Sequence, residues 1–356
     1  MTASASPTPR RPPRRRAPRP AAPREAAGPD DASPALEVDA LTVDVRTPAG
    51  LVRAVDGVGF SVRRGRTLAL LGESGCGKSM TALAVAGLLE PVAEVSGGSV
   101  RVGGTDVLRL GRAERRRLAG PVLSIVFQDA LTAMNPVQTV GAQLGEPFRI
   151  HRGLSRRAAR EKAIELMEAV GIPEPRARAR SYPHQFSGGM RQRLLIAMAV
   201  ALSPDVLIAD EPTTALDVTV QAQVMQLLAD LQERNDMALV LITHDLAVVA
   251  ERADEVAVMY AGTVVETGPV REVFTRPRHP YTRGLLDSVP ENVERGRPLR
   301  SVPGSPPELS AIPAGCVFQA RCPMARERCA ERRPVLEPAG PSRAAACHFS
   351  EELARA

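Results

Sequence analysis

At 356 residues, with 44% hydrophobic and 24% charged side chains, the chain has the composition of a soluble globular protein with one large or two modest cores. Its formal charge of +6 does not indicate a nucleic-acid-binding protein, because seven arginines against three acids in residues 1–34 account for +4 of it. With no tryptophan and three tyrosines, few aromatic side chains are available for stacking bases.

The N-terminal segment, residues 1–34, contains the run PTPRRPPRRRAPRPAAPR and has no apolar periodicity, so we expect it to be disordered. A solvated tail is one interpretation. Contact with anionic lipid headgroups is the other, and it is favoured if the protein works at a membrane surface. The segment lacks the apolar core of a secretion signal, and no later apolar run reaches a membrane span, so the sequence predicts a cytoplasmic location.

The first chemical motif follows Leu68–Leu71, an apolar run that predicts a buried strand. Gly72–Ser79, GESGCGKS, fits the pattern of a phosphate loop, and Thr81–Leu89 predicts the helix after it. We predict that Lys78 reaches the β- and γ-phosphates and that Ser79 binds Mg²⁺, while a chance glycine-rich turn is the alternative. The predicted ATP-binding residues are Gly72, Glu73, Ser74, Gly75, Cys76, Gly77, Lys78, Ser79 and Met80.

Lys78 is one of only two lysines in a chain that otherwise uses arginine, which favours a need for a compact ammonium at this position. Cys76 lies inside the loop, and we interpret it as a small side chain that fills space rather than as a redox group.

Two acids follow the apolar run Val206–Ala209 in DVLIADEP, at a strand tip of the kind where open α/β sheets bind ligands. Asp210 is predicted to hold Mg²⁺ through water, and Glu211 to orient and deprotonate the attacking water. Alternatively, the two acids cap the next turn.

Three further motifs belong to the same pattern. Gln128 in SIVFQD and His244 in LVLITHD each follow an apolar run, and Ser187–Gly189 in QFSGGMRQRL opens a helix whose free N–H groups suit an anion. Together with the phosphate loop, Asp210–Glu211 and Ala215–Asp217, they occur in an order that resembles an ABC-type ATPase subunit over about residues 35–350. The resemblance implies an α/β P-loop NTPase fold with a RecA-like core and a β-subdomain. It places the nucleotide-binding domain at 35–270, with a helical subdomain at about 130–200.

The resemblance also implies a head-to-tail pair of ATPase subunits, with each ATP held between one phosphate loop and the partner's signature. The signature residues are Ser187, Gly188, Gly189 and Gln192. His244 is expected to contact the γ-phosphate, and Gln128 to sense Mg²⁺ or the attacking water. One set of motifs per chain requires a second chain, either a copy or another ATPase subunit.

One position departs from the family pattern. The family stacks adenine on an aromatic side chain upstream of the phosphate loop, but Phe60 is the only aromatic residue between positions 35 and 78. Alternation within GVGFSV predicts that Phe60 lies in the core. The stacking position falls near Val45, so we expect the adenine contact to be apolar.

The C-terminal third resembles the tail of ATPase subunits from the peptide/oligopeptide/nickel importer family, in RHPYTRGLLDSVP and PGSPPELSAIPAGCVFQARCP. That resemblance implies ATP-driven import through two permease subunits, with an extracytoplasmic solute-binding protein and a location at the cytoplasmic face of the membrane. Peptides are the preferred cargo, with nickel or another small solute as the alternative. A soluble ABC ATPase of translation or DNA repair is the other class, but it would carry a second motif set, long insertions or coiled coils.

Four cysteines gather in residues 271–356, which we interpret as a short Pro-rich accessory region: Cys316, Cys322, Cys329 and Cys347. A reducing compartment disfavours disulfides. Structural zinc usually takes closely paired cysteines, and iron–sulfur clusters bind four thiolates, although this spacing matches no common ferredoxin. The family tail resembles a [4Fe–4S] site, so the resemblance implies a cluster, with zinc as the alternative and His348 as a substitute for Cys347.

Overall fold

The computed structural model describes residues 33–48, 50–129, 133–214, 216–288 and 302–355. Nearly all of the predicted tail, residues 1–34, therefore lies outside the described residues, and so does Ala215 of the ALD motif. The described strands form two sheets, one large and mostly parallel and one small and antiparallel.

The described strands are β1 Leu36–Thr47, β2 Gly50–Val62, β3 Thr67–Leu71, β4 Ala93–Val102, β5 Thr105–Asp106, β6 Leu123–Val126, β7 Val206–Asp210, β8 Ala238–Thr243, β9 Glu255–Tyr260, β10 Thr263–Pro269, β11 Glu337–Gly340 and β12 Arg343–Ala345. The described α-helices are α1 Lys78–Ala86, α2 Arg112–Leu118, α3 Val140–Arg152, α4 Arg156–Ala169, α5 Pro175–Arg178, α6 Gly188–Val200, α7 Val218–Asn235, α8 Leu246–Arg252, α9 Val270–Thr275, α10 Pro280–Asp287, α11 Glu327–Glu331 and α12 Ser350–Arg355.

The large sheet has the strand order β11-β12-β10-β9-β3-β8-β7-β6. Its centre, from β9 to β6, is parallel, and strands β3, β7 and β8 are buried at every position. Parallel strands covered on both faces need unbroken apolar sequence, which explains why these strands read as short hydrophobic runs. Because they are parallel, β3, β6, β7 and β8 end at the same edge of the sheet, and that edge carries the predicted site.

The small sheet, ordered β2-β1-β4-β5, is antiparallel and packs its apolar side chains into the same core as helix α1. Phe60 is partly buried against that core, as the alternation of its strand predicted. Together the two sheets give the expected P-loop NTPase fold with a β-subdomain.

The segment between β6 and β7 is mostly helical and includes α3 to α6. It has an apolar cluster of its own, with Leu144, Met167, Phe186 and Leu194 buried together. Gly145 lets α3 approach α4 closely, because a Cβ there would lie 3.1 Å from the Ala159 carbonyl oxygen. This is the helical subdomain of the predicted fold.

The C-terminal region, from α9 to α12, contributes the strands β11 and β12 to the large sheet. Strand β12 pairs antiparallel with β10, and β11 pairs with β12. Tyr281 and Phe318 are buried in a cluster with Tyr260 of β9, with ring centroids 4.7–5.5 Å apart. A segment with little regular structure is thereby stabilised by apolar burial against the parallel sheet.

No helix among the described residues is long and apolar enough to cross a membrane.

Candidate functional site

The phosphate loop lies between β3 and α1, in the strand–loop–helix arrangement that the sequence predicted. Its first and last glycines have no room for a side chain. A Cβ on Gly72 would lie 2.3 Å from the Met259 carbonyl oxygen, and one on Gly77 would lie 2.8 Å from that of Ala54. Gly77 also has a φ of 101°, in the left-handed region that glycine tolerates best. The loop therefore follows a path that only glycine permits at these two positions.

Lys78 begins helix α1 and is buried. Its ammonium donates to the carbonyl oxygens of Gly72 at 2.7 Å and Glu73 at 2.9 Å, and it lies 3.8 Å from the Cys76 sulfur. The lysine thus closes the loop on itself with short contacts to its own backbone. Burial raises the pKa of the Cys76 thiol, which keeps it a neutral side chain beside the ammonium.

Ser79 on the phosphate loop and Asp210 on β7, two of the three predicted magnesium ligands, are brought together. The Ser79 hydroxyl donates to the Asp210 carboxylate at 3.1 Å. Burial is the main cause that raises the pKa of Asp210; the Ser79 hydroxyl and Lys78 oppose the rise, and the charge of Glu211 adds to it. A buried carboxylate beside a hydroxyl suits Mg²⁺, which is usually bound by one or two protein oxygens together with substrate phosphates and water.

Glu211 directly follows β7, and three polar side chains lie within hydrogen-bonding distance of its carboxylate. Gln128 Nε2 donates to it at 2.9 Å and the Thr214 hydroxyl at 2.8 Å, while His244 Nδ1 lies 3.3 Å from the other oxygen. These side chains meet because β6, β7 and β8 end side by side. Gln128 thus forms its hydrogen bond with Glu211 and not with the Ser79–Asp210 pair. Thr214 is a hydrogen-bond partner of Glu211 that the sequence analysis did not predict.

The backbone of Glu211 is also unusual. Its φ of 45° lies in the left-handed region, and its N–H donates to the Ile242 carbonyl oxygen on β8 at 2.9 Å. Non-glycine residues adopt this region at an energetic cost and are concentrated at functional sites. The turn points the carboxylate of Glu211 across the ends of the strands, towards Gln128 and His244.

An open pocket of about 550 Å³ joins these groups. Its wall includes the phosphate loop from Ser74 to Met80 without Cys76, the three side chains Gln128, Glu211 and His244, and two apolar residues, Ala54 and Leu309. Val45, where we expected the adenine contact, is not part of this wall. Leu309 comes from a short 3₁₀ helix of the C-terminal region, Leu309–Ala311, and no sequence motif marked it as a site residue.

The signature residues lie apart from this pocket. Ser187 caps helix α6 by accepting a hydrogen bond from the Met190 N–H, and a Cβ on Gly188 would meet no atom within 4 Å. On Gly189 a Cβ would lie 2.6 Å from Val220, so that position is sterically restricted. Gln192 is buried, and its amide nitrogen has no hydrogen-bond partner among the described residues.

The four C-terminal cysteines are drawn near each other. The N–H of Cys316 donates to the Cys329 carbonyl oxygen at 2.7 Å. Burial raises the pKa of Cys316, Cys322 and Cys347, the last to about 11, and in each case the charge of neighbouring cysteines adds to the rise. His348 places its Nε2 2.8 Å from the Arg332 carbonyl oxygen.

Among the residues that the structure describes, however, no three or more His, Cys, Asp or Glu side chains form a metal-binding group. The predicted four-cysteine metal site is therefore not confirmed, although the sulfur donors themselves are of the chemical type that binds iron or zinc.

Comparison with known proteins finds two families in the chain. The ABC transporter family matches residues 55–214, and the oligopeptide/dipeptide transporter C-terminal region matches residues 265–329. The second match includes Cys316, Cys322 and Cys329 and ends before Cys347.

Among curated proteins, the dipeptide transport ATP-binding protein DppD of Bacillus subtilis is 51% identical over 278 residues, which cover 78% of this chain and 83% of that protein. DppD of Escherichia coli is 48% identical over 83% of this chain and 91% of that protein. The oligopeptide transport ATP-binding protein OppD of Salmonella typhimurium is 48% identical over 85% of this chain and 89% of its own length. Among solved structures, the ATP-binding cassette MJ0796, a dimer bound to ADP and Pi, matches with a TM-score of 0.60 at 26% identity over 66% of this chain and 99% of its own.

Proposed function

Because the chain belongs to the ABC transporter family of ATP-binding subunits, we propose that it hydrolyses ATP to power the import of dipeptides or oligopeptides through a pair of membrane permeases. The observation that carries the proposal is the carboxylate of Glu211, which faces a pocket walled by the phosphate loop and is held by Gln128, Thr214 and His244. The C-terminal match and the names of the relatives supply the cargo class.

In the proposed mechanism, the N–H groups of the phosphate loop and the Lys78 ammonium bind the β- and γ-phosphates. Ser79 and Asp210 would hold Mg²⁺, and the ion would supply positive charge to offset the negative charge of the phosphates. Glu211 accepts a proton from the attacking water, and Gln128 and His244 hold the Glu211 carboxylate and the water in line with the γ-phosphate. The polar network around Glu211 supports these roles, because it fixes the carboxylate before the substrate binds.

We propose that two ATPase subunits pair head to tail, so that the signature of one covers the ATP of the other. The signature comprises Ser187, Gly188, Gly189 and Gln192, which lie outside the pocket of their own chain. Three features support the proposal: Gly188 has open space, the helix N-terminus favours an anion, and Gln192 has a buried amide whose nitrogen is unpaired among the described residues. The permeases, an extracytoplasmic solute-binding protein and attachment at the cytoplasmic face of the membrane complete the proposed assembly.

The experiment for the cargo uses cells. A strain without the gene is complemented with the wild-type chain or with the Glu211→Gln variant, and uptake of labelled dipeptide, pentapeptide and Ni²⁺ is measured. We expect the wild-type chain alone to restore peptide uptake. Restoration of nickel uptake without peptide uptake would change the cargo, and normal uptake of every solute in the deletion strain would contradict a role in import.

We also propose that Cys316, Cys322, Cys329 and Cys347 hold a structural [4Fe–4S] cluster, with zinc as the alternative. Two observations support it: the Cys316 N–H donates to the Cys329 carbonyl oxygen at 2.7 Å, and the match to the transporter C-terminal region includes Cys316, Cys322 and Cys329. Four cysteine thiolates are the usual ligands of such a cluster. The full chain, purified without oxygen, should be brown and contain about four irons. A colourless protein with one zinc would replace the cluster with zinc, and a metal-free protein would contradict both.

A further inference from the structure

Arg321, in the C-terminal region, contacts the phosphate loop directly. Its guanidinium donates two hydrogen bonds to the Glu73 carboxylate, from Nη1 at 2.8 Å and from Nη2 at 3.0 Å. Glu73 is the residue directly after Gly72, the first residue of the loop, and it lies 248 positions before Arg321 in the chain. The side chain of Arg321 is only 6% exposed. A paired fork of this kind fixes the orientation of both groups, and burial strengthens it.

Arg321 is itself fixed by the C-terminal region and the sheet. It ends a 3₁₀ helix, Gln319–Arg321, and its Nε donates to the Pro303 carbonyl oxygen at 2.7 Å. Nη1 also donates to the Tyr260 hydroxyl at 3.3 Å, and the guanidinium lies 5.7 Å from the Tyr260 ring centroid and 5.9 Å from that of Phe318. The guanidinium therefore has little freedom to follow the Glu73 side chain if that side chain moves.

All three polar groups of Glu73 are held. Its N–H donates to the Tyr281 hydroxyl at 2.9 Å, its carbonyl oxygen accepts from Lys78, and its carboxylate accepts from Arg321. The next two residues, Ser74 and Gly75, line the phosphate pocket, whereas Glu73 does not. The fork thus keeps a carboxylate charge, which would repel phosphates, turned out of the pocket and neutralised.

We propose that Arg321 is a positioning residue for the ATP site: it holds and neutralises Glu73 so that the phosphate loop presents net positive charge to the nucleotide. This inference rests on the proposed ATP hydrolysis. It makes a C-terminal arginine part of the apparatus that determines phosphate affinity. Without Arg321, the Glu73 carboxylate is an unpaired anion within the phosphate loop, and the loss of affinity grows with the number of phosphates on the ligand.

The proposal differs from a purely structural tie, in which Arg321 only fastens the C-terminal region to the core. Arg333 is the matched control, because it is another C-terminal arginine whose Nη1 lies 2.7 Å from a core acid, Asp56 Oδ2, and it does not contact the phosphate loop. A structural tie predicts that neither Arg321→Met nor Arg333→Met changes the affinity for AMP-PNP relative to that for adenosine.

The test measures binding of AMP-PNP, ADP and adenosine to the full-length chain by calorimetry in the presence of Mg²⁺. Arg321→Met should weaken AMP-PNP binding about tenfold and ADP binding less, with adenosine within about twofold of wild type. Glu73→Gln should bind AMP-PNP more tightly than Arg321→Met does, because it removes the anion instead of leaving it unpaired. The double variant Arg321→Met/Glu73→Gln should return to within about threefold, because no anion is left to repel phosphate.

Three results would overturn the proposal: an Arg321→Met variant that binds AMP-PNP as wild type does, a loss that is equal for adenosine and AMP-PNP, or a double variant as weak as Arg321→Met alone. If Arg321→Met does not fold, Arg321→Lys and Glu73→Gln decide, since the lysine variant should weaken AMP-PNP binding more than adenosine binding. A wild-type chain that binds no nucleotide would contradict the proposed function instead, so the two failures are distinguishable.

Discussion

The hydrolytic edge of the parallel sheet and the C-terminal region are held in place by different means. At the edge, Gln128, Glu211 and His244 meet because the backbones of β6, β7 and β8 run side by side and end together. The C-terminal region, besides the pairing of β12 with β10 and the buried aromatic cluster, is fastened by three arginines, each paired with an acid of the core. These pairs are Arg321–Glu73, Arg333–Asp56 and Arg343–Glu266.

The difference shows what each region can tolerate. A site positioned by strand ends depends on hydrogen-bonded backbone, so a single side chain there can be replaced without moving its neighbours. Where ion pairs hold a region in place, the stability lost with each pair depends on how deeply that pair is buried. Arg343 and Glu266 are 6% and 0% exposed, whereas Arg333 and Asp56 are 35% and 27% exposed. We therefore expect substitutions at the edge to act on the chemistry, and substitutions in the most buried ion pair of the C-terminal region to act on stability.

The largest expected effect is at the edge. Glu211→Gln should lower ATP hydrolysis by about 10²–10⁴-fold, because it removes the proposed general base, while AMP-PNP affinity stays within about threefold. The amide oxygen still accepts from Gln128 or Thr214, so the position of its neighbours is retained. Hydrolysis is measured as phosphate release from the assembled transporter, and Glu233→Gln, on the exposed face of α7, is the control. Wild-type turnover in Glu211→Gln would exclude Glu211 as the base.

Stability should respond most to the buried pair of the C-terminal region. Arg343→Met leaves the Glu266 carboxylate, which is fully buried, with neutral donors such as the backbone N–H groups of Arg278 and His279 but without its paired cation, and should cost about 3–5 kcal/mol of unfolding free energy. Arg333→Met breaks the partly exposed pair and should cost about 1 kcal/mol or less. Denaturant unfolding of both variants measures the difference.

A second variant separates the lost pair from the lost packing. Arg343→Met/Glu266→Gln removes the uncompensated charge and should recover part of the stability. Equal losses for Arg343→Met and Arg333→Met would show that burial does not set the strength of these ties.

The residues at the strand ends could be predicted from the sequence, whereas those of the C-terminal region could not. The phosphate loop, Asp210 and Glu211 could be located because each lies in a short string between an apolar strand and a turn, and parallel strands bring those strings together. Thr214 lies three residues after Glu211 in EPTTALD, so its nearness was a signal that could have been used. The sequence contains no signal that marks Arg321, because its partner Glu73 is 248 positions away and arginine is common throughout the chain. Leu309 likewise belongs to no periodic pattern, since it lies in an irregular segment.

A pH effect sharpens the comparison from within the C-terminal region. Burial lowers the pKa of His279 to about 3, and its neutral Nδ1 accepts a hydrogen bond from the Tyr281 N–H at the start of α10. The unfolded chain binds a proton near pH 6.5 that the folded chain refuses, so the unfolding free energy should fall as the pH drops below 6.5. Between pH 6.5 and pH 3, the slope of unfolding free energy against pH should reach about 1.4 kcal/mol per pH unit for His279 alone. Above pH 6.5 His279 is neutral in both states, and its destabilising effect disappears.

His279→Asn tests that cause, because the amide oxygen can accept the same hydrogen bond and does not titrate. From pH 7 to pH 6 and pH 5 the unfolding free energy of the wild type should fall more steeply than that of the variant, which shows the flatter profile. His184→Asn, at an exposed position, should keep the wild-type slope. A parallel profile for His279→Asn would assign the acid sensitivity to other groups, of which the buried Glu266 is the nearest.

The smallest expected effect is at the place where the two regions share a wall. Leu309 and Ala54 are the two apolar residues, apart from Met80, that line the proposed ATP pocket, so Leu309 is suited to contact the base in a chain that lacks the stacking aromatic. Complete burial of a leucine contributes about 1.5–3 kcal/mol, and a half-buried contact about 1 kcal/mol, so Leu309→Ala should weaken ATP and adenosine binding by about fivefold alike. The turnover rate at saturating ATP should stay the same, because the leucine touches no reacting atom.

The equal effect on adenosine distinguishes Leu309 from Arg321, whose influence we expect to scale with phosphate number. Val335→Ala is the control, since Val335 is an exposed apolar residue of the same C-terminal region outside the pocket. Leu309→Phe should tighten adenosine binding if the side chain faces the base, because an aromatic ring restores the stacking surface that position 45 lacks. Unchanged affinities in both Leu309 variants would show that Leu309 does not contact the base. The C-terminal region would then affect nucleotide binding only through Arg321 and the phosphates.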